Sequence, residues 1–184
     1  DTGEIQLNKE TVSGIPTFQI SRFASKALDA GRKVYVKIDF YPSTKKKSLI
    51  NELENKKITL GAYSLMDVLC GFLNDKLSGV LIKEAKLDGN KLFKSVNDEE
   101  FERLISIIKE YRLDIIGTAG FDSAQVCAGG IDLSQIDLNS MMSRLHKGIY
   151  FCGEILDVDG ICGGYNLQWA WASGYIAGIN ACKG

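Results

Sequence analysis

The chain has 184 residues, a formal net charge of -1 and 45% hydrophobic residues, enough for one domain or two small ones. Near-neutral charge argues against nucleic acid as the main partner. No apolar run reaches the roughly 20 residues that span a bilayer, so no membrane partner is expected.

The opening Asp1-Thr2-Gly3-Glu4 does not read as a secretory leader. The five cysteines, Cys70, Cys127, Cys152, Cys162 and Cys182, are odd in number and form no C-x-x-C pair. They give no zinc signature, no metal site is expected, and a reduced, cytoplasmic setting is the simplest reading.

Gly3 to Asn8 reads as a strand, and Ser13-Gly14-Ile15-Pro16 as a turn. From Thr17 to Ala30, Phe18, Ile20, Phe23, Ala24, Ala27 and Leu28 recur at helical spacing, and Gly31 stops the helix. Lys33 to Tyr41 alternates, with Val34, Val36, Ile38 and Phe40 on one face, as a half-buried antiparallel strand does. Pro42 to Glu54 reads as a helix capped by Ser43 or Thr44. The adjoining Lys45-Lys46-Lys47 cluster is read as capping or solvating a helix end rather than binding phosphate. Further helices are expected within Thr59 to Phe72 and Lys76 to Leu87, with a loop at Gly89-Asn90. Asn97 or Asp98 caps a helix with Glu99 and Glu100 in its first turn and a stripe of Phe101, Leu104, Ile105 and Ile108. Leu113 to Ile116 returns as a strand, and a domain boundary is expected near Thr118-Ala119-Gly120-Phe121.

The chemistry concentrates at the C-terminal end. Ile149, Tyr150, Phe151 and Cys152 form an apolar run of β-formers, read as a strand buried on both faces. Gly153 ends it and Glu154 follows. Asp157, Asp159, Gly160, Gly163 and Gly164 make an acid- and glycine-rich loop. Leu167 to Ala181 then reads as a helix with small residues at Ala170, Gly174 and Gly178, a face suited to close backbone approach. A helix N-terminus offers unpaired N–H groups and a positive dipole end, which suits an anion or an electron-rich carbonyl. An acid at a strand's carboxyl end can accept hydrogen bonds from a ribose or ribitol hydroxyl. Without a ligand, the same pattern is a strand-turn-helix corner packed in a core.

Asp157 and Asp159 do not make a calcium loop, because Ile161 stands where an oxygen ligand is needed; both are read as loop caps. At least one of Trp169 and Trp171 is read as core. Gly129 and Gly130 permit close approach of the backbone to a cofactor or form a plain tight turn. The single histidine, His146, reads as solvated loop, and Cys152 and Cys162 as small packing residues. No nucleophilic triad or paired carboxylate can be defended, so no catalytic residue is named.

The stretch from Gly148 resembles the C-terminal flavin-binding motif of the BaiN-like NAD(P)/FAD-dependent oxidoreductases, G-x-Y-F-x-G-E-x-x-D-x-x-G-x-x-G-G-Y/F-N-x-Q-x-A. Gly148, Tyr150, Phe151, Gly153, Glu154, Asp157, Gly160, Gly163, Gly164, Tyr165, Asn166, Gln168 and Ala170 fit it. Ala124, Gln125, Val126, Ala128, Gly129 and Gly130 fit the family's A-Q-V-T-A-G-G-V run, with Cys127 in place of Thr. Gly3, Glu4, Ser13, Gly14 and Pro16 fit its G-E…S-G-x-P segment, and Met141 its T-M-x-S piece with Ser140 replacing Thr.

The resemblance implies an α+β fold. Residues 1–121 would be a mixed strand and helix insert domain, incomplete at its N-terminus. Residues 122–184 would be the C-terminal strand-loop-helix of a Rossmann-type FAD domain. It implies FAD held by Gly129, Gly130, Gly153, Glu154, Gly163, Gly164, Tyr165 and Asn166, with NAD(P)H as electron donor and a small-molecule substrate, either a conjugated enone or an amine. The G-x-G-x-x-G module of that family is not in this sequence, so the chain reads as a C-terminal portion whose partner is the N-terminal flavin-domain half. Taken alone it is expected to hold FAD weakly, to be inactive and to self-associate. The rival reading is a non-catalytic structural or interaction module.

Overall fold

The structure is a computed structural model that describes residues 1–183. Helices and short strands mix along the chain, an α+β composition. Two compact units form, one from residues 1–32 with the described residues from Ile116 onward, the other from Lys33–Ile115. The second division falls between Ile115 and Ile116. The first 32 residues, however, cluster with the C-terminal segment.

β1 (Gln6–Leu7) pairs antiparallel with β2 (Val12–Ser13). Gly14 then turns the chain into α1 (Ile15–Asp29) with φ of 110°. A Cβ at Gly14 would stand 2.4 Å from the Glu4 carbonyl oxygen, so the close approach excludes a side chain. Pro16 occupies the first turn, where its missing N–H costs nothing. The Gly31 N–H donates to the Leu28 carbonyl and the Arg32 N–H to that of Ala27, closing the helix where expected. The periodic face of α1 is only partly covered, since Ile15, Phe18 and Phe23 remain exposed.

In the second unit, β3 (Val34–Ile38) pairs with β4 (Tyr111–Ile115) in antiparallel register, Val36 opposite Leu113. Inward and outward residues alternate along both, as the sequence pattern requires. Between them run α2 (Lys46–Leu60), α3 (Leu65–Cys70), α4 (Asp75–Glu84) and α5 (Asp98–Lys109). Lys45, not Ser43 or Thr44, caps α2. The Thr44 N–H is committed to a turn with the Tyr41 carbonyl, and its own carbonyl accepts from Lys109 Nζ at 2.6 Å. α2 also absorbs Thr59 and Leu60, and α3 starts at its own cap, Ser64, whose hydroxyl accepts from the Asp67 N–H. Leu49, Leu53, Leu65, Leu69, Leu81, Phe93, Phe101, Leu104, Ile105 and Ile108 are buried together.

α5 begins with a reciprocal cap. The Glu100 N–H donates to Asn97 Oδ1 at 2.9 Å, and the Asn97 N–H donates to Glu100 Oε2 at 3.0 Å. Lys91 Nζ also donates to both carboxylate oxygens. The Lys91 hydrogen bond, then that from Asn97, holds the Glu100 carboxyl below its ordinary 4.5. A group with a lowered folded pKa contributes stability above its unfolded value, and that stability is lost as pH falls through the folded one. Glu100→Gln is therefore expected to lower the denaturation midpoint at pH 7, with the deficit shrinking below about pH 4.5. Urea titrations of both proteins across that range check it.

The first unit resumes with 3-10 turns at Phe121–Ser123 and Leu133–Gln135, followed by β5 (Ile136–Asp137) paired to β6 (Met142–Ser143). The run Ile149–Cys152, read as a strand buried on both faces, forms no ladder. Tyr150 makes one antiparallel bridge to Met142, and the Phe151 N–H donates to the Met141 carbonyl. Ile149 is 46% exposed and Cys152 is exposed. A doubly buried strand needs a paired neighbour on each side, and this run has a single bridge. A 3-10 turn at Gly153–Ile155 leads through the acid-rich loop to α6 (Tyr165–Ala181).

Candidate functional site

The 3-10 turn carrying Glu154 docks on α6. A Cβ at Gly153 would meet that of Ala170 at 3.8 Å. Trp169 Nε1 donates to the Gly153 carbonyl at 3.2 Å, and the Gly153 N–H donates to Ser173 Oγ at 2.9 Å. Ser173 is fully buried and donates in turn to the Trp169 carbonyl at 2.6 Å. Both polar groups of Gly153 are thus held by one helix face. Ser173→Ala leaves the Gly153 N–H without its acceptor, an expected loss of about 1–3 kcal/mol. Chemical denaturation followed by far-UV circular dichroism measures it.

The face of α6 in use is Trp169, Ser173, Ile176 and Ala177, and the small-residue row has a lesser share. Ala170 touches the Gly153 turn, a Cβ at Gly174 would lie 4.0 Å from Cys152 Sγ, and Gly178 has open space. The opposite face is exposed and apolar, with Leu167, Trp171, Tyr175 and Ile179 at four-residue spacing. Trp169 is therefore the core tryptophan, and Trp171 is 69% exposed.

Glu154 is exposed, and its Oε1 accepts from the Cys127 N–H at 2.7 Å. Oε2 accepts no hydrogen bond among the described residues. Half of the carboxylate thus ties down the loop ahead of Gly129, and half is open. Gly129 and Gly130 both have positive φ. Gly130 approaches protein backbone: a Cβ there would stand 2.5 Å from the Ile155 carbonyl oxygen and 2.8 Å from the Leu156 carbonyl carbon. The Ile131 N–H donates to the Ile155 carbonyl and the Asp157 N–H to the Ile131 carbonyl, making a parallel bridge beside the Glu154 turn. Gly129 has nothing within 4 Å.

Gly163 and Gly164 lead into α6 with φ of 125° and 94°. Gly164 caps the helix in the left-handed region, and no side chain covers its first N–H groups. Tyr165 is exposed. Asn166 faces backward: its Oδ1 accepts from the Gly160 N–H at 2.7 Å and its Nδ2 donates to the Gly160 carbonyl at 3.2 Å. The side chain thus clamps the loop, leaving its own backbone at the open helix end.

Two features escape the sequence. Arg22 Nη1 donates to Asp159 Oδ2 at 2.6 Å and to the Asp159 carbonyl at 3.0 Å. The Cys162 N–H donates to Gln19 Oε1. No local pattern connects residues so far apart in sequence. Cys152 and Cys162, read as packing residues, are instead exposed free thiols, because the surface of the loop and the last turn before it is uncovered. No group of three or more His, Cys, Asp or Glu among the described residues could hold a metal ion. No described helix is long and apolar enough to cross a membrane.

A carboxylate with one unbonded oxygen thus sits on a turn fastened to α6, and the N-terminus of that helix carries no side-chain cap. The chain is 41% identical over 184 residues to a 3-dehydro-bile acid delta(4,6)-reductase of Clostridium scindens, covering 100% of this chain and 45% of that protein. It is 33% identical over 141 residues to a ribosomal RNA dihydrouridine synthase of Escherichia coli, covering 77% and 34%. With the Haemophilus influenzae enzyme of the same name it shares 29% over 172 residues, covering 94% and 40%. The chain spans less than half the length of these curated relatives. Residues 40–180 match the family described as HI0933-like protein Rossmann domain, and the chain belongs to that family.

Proposed function

We propose that the whole protein to which these residues belong is a flavin-dependent oxidoreductase, and that the Glu154 turn and the Gly163–Asn166 corner form part of its FAD site. The observation that carries this reading is the half-free Glu154 carboxylate on a turn fastened to α6, whose N-terminus no side chain caps. Bound there, FAD would supply hydride-transfer chemistry. Glu154 Oε2 would accept a hydrogen bond from a sugar-chain hydroxyl. The first N–H groups of α6 would face the pyrimidine edge of the ring and stabilise negative charge on it. Gly163 and Gly164 would let the ring approach without a Cβ in the way. Gly130 serves at one remove, by seating the backbone that carries Glu154.

NAD(P)H as electron donor is part of the proposal. For the substrate, the relatives' names favour reduction over amine oxidation. A delta(4,6)-reductase and a dihydrouridine synthase are both named for reductions. We infer a conjugated enone as the substrate group. A relative more than twice the length of this chain leaves room for a pyrophosphate-binding module elsewhere in the whole protein, and the exposed Leu167–Trp171–Tyr175–Ile179 stripe is apolar surface for it to cover.

Expression of the full-length protein tests the reading. Purified protein should carry flavin absorbance, and Glu154→Ala should weaken FAD binding about 10- to 100-fold, as loss of a charge-assisted hydrogen bond does. A full-length protein without flavin, or an E154A variant with unchanged affinity, rejects it.

A further inference from the structure

The loop that enters the proposed flavin corner is held from outside as well as from α6. Asn166 fixes Gly160 from within. Two side chains of α1 fix the residues on either side of Gly160. Arg22 takes both the carboxylate and the carbonyl of Asp159, and Gln19 takes the N–H of Cys162. Gln19 and Arg22 are three residues apart and so share a helix face. Arg22 is also fixed on its own side, its guanidinium 4.8 Å from the centre of the Phe23 ring. The Arg22–Asp159 pair is about one-third exposed or less on each side, 34% and 26%. Beside the contact lies a shallow groove lined by Ile15, Ile20, Phe23 and Ile161.

We propose that Gln19 and Arg22 are positioning residues for the flavin corner, setting the path of the 159–162 loop and thereby the direction in which the Gly163–Gly164 turn and the first N–H groups of α6 point. The inference rests on the flavin reading above and adds to it the residues that aim the site. Gly160, Gly163 and Gly164 give the loop conformational freedom that no side chain of its own restrains, apart from the Asn166 clamp. Three anchors over four residues, at Asp159, Gly160 and Cys162, remove that freedom before the ligand arrives, so less ordering cost falls on binding. Arg22 contributes two hydrogen bonds from a charged donor, and Gln19 a single neutral one, so Arg22 should matter more.

The test uses full-length protein with Arg22→Met, Arg22→Lys and Gln19→Ala. Two quantities are read: amide hydrogen exchange in peptides spanning 159–164 of the flavin-free protein, and the absorbance maximum and reduction potential of bound FAD. With R22M, which removes both bonds to Asp159, exchange should rise about 10-fold or more, and the flavin spectrum and potential should both shift. Q19A should show the same changes at smaller size, and R22K should recover part of both. Raised exchange with an unmoved spectrum and potential would overturn the positioning role, leaving a purely structural contact. Unchanged exchange would overturn it outright. If R22M does not fold, R22K and Q19A decide by the same two readings. If the wild-type protein carries no flavin, the functional reading fails and this inference with it, an outcome distinct from the others.

Discussion

Gly130→Ala is expected to unfold or badly distort the segment around Glu154, with a loss of about 2–5 kcal/mol. The new methyl carbon would lie 2.5 Å from the Ile155 carbonyl oxygen, 2.8 Å from the Asp157 nitrogen and 2.8 Å from the Leu156 carbonyl carbon. All three are backbone atoms, and no rotamer change can clear them. The φ of 156° adds conformational strain. Relief requires opening the Ile131–Leu156 bridge and its two hydrogen bonds. Since Glu154 belongs to the turn just before that bridge, the full-length variant should also lose FAD. Gly129→Ala is the control: its φ of 103° is costly, but nothing lies within 4 Å of the added carbon. It should lose about 1–2 kcal/mol and keep more flavin. Equal losses in the two variants would show that steric contact at Gly130 is not the cause.

Phe101→Ala should be the most damaging change in the 33–115 unit. Phe101 is 2% exposed, its ring centre is 6.2 Å from that of Phe93, and Lys57 Nζ sits 4.4 Å above it. Truncation removes the ring, opens a cavity and ends both contacts, at an expected cost of about 3–5 kcal/mol. A small domain holds about 5–10 kcal/mol in all, so most of its margin would go. A thermal melt by far-UV circular dichroism should show a much earlier transition. Leu73→Ala, at the edge of the same cluster, should cost far less. A Phe101→Ala melting curve like that of wild type would mean that this cluster is not where stability resides.

The elements most legible in the sequence carry their own signals. α5 combines a cap, a first turn of acids and a four-residue apolar stripe, so its start and its buried face follow from adjacent residues. β3 shows its inward face by strict alternation. The turn at Gly14 and the stop at Gly31 follow from local backbone chemistry. What failed depended on distant residues. Whether Ile149–Cys152 becomes a strand is decided by its neighbours, and an apolar run cannot report how many it has. α2 starts at Lys45 with no side-chain cap, and the Thr44 carbonyl is bonded by Lys109 from 65 residues away, a contact that no local pattern reports. In the candidate site, the glycines and Glu154 were visible through motif spacing, whereas the hold of Arg22 on Asp159 spans 137 residues and leaves no trace in either segment.

Both tryptophans of the chain lie in α6, two positions apart, and the 33–115 unit contains none. Indole emission is therefore a reporter for one unit alone. Trp171 should be readily quenched by iodide, while Trp169, bonded to the Gly153 carbonyl, should respond when the Glu154 turn lifts from the helix. A Trp171→Phe protein would leave a single tryptophan beside the candidate site, reporting on the docking of the Glu154 turn in real time.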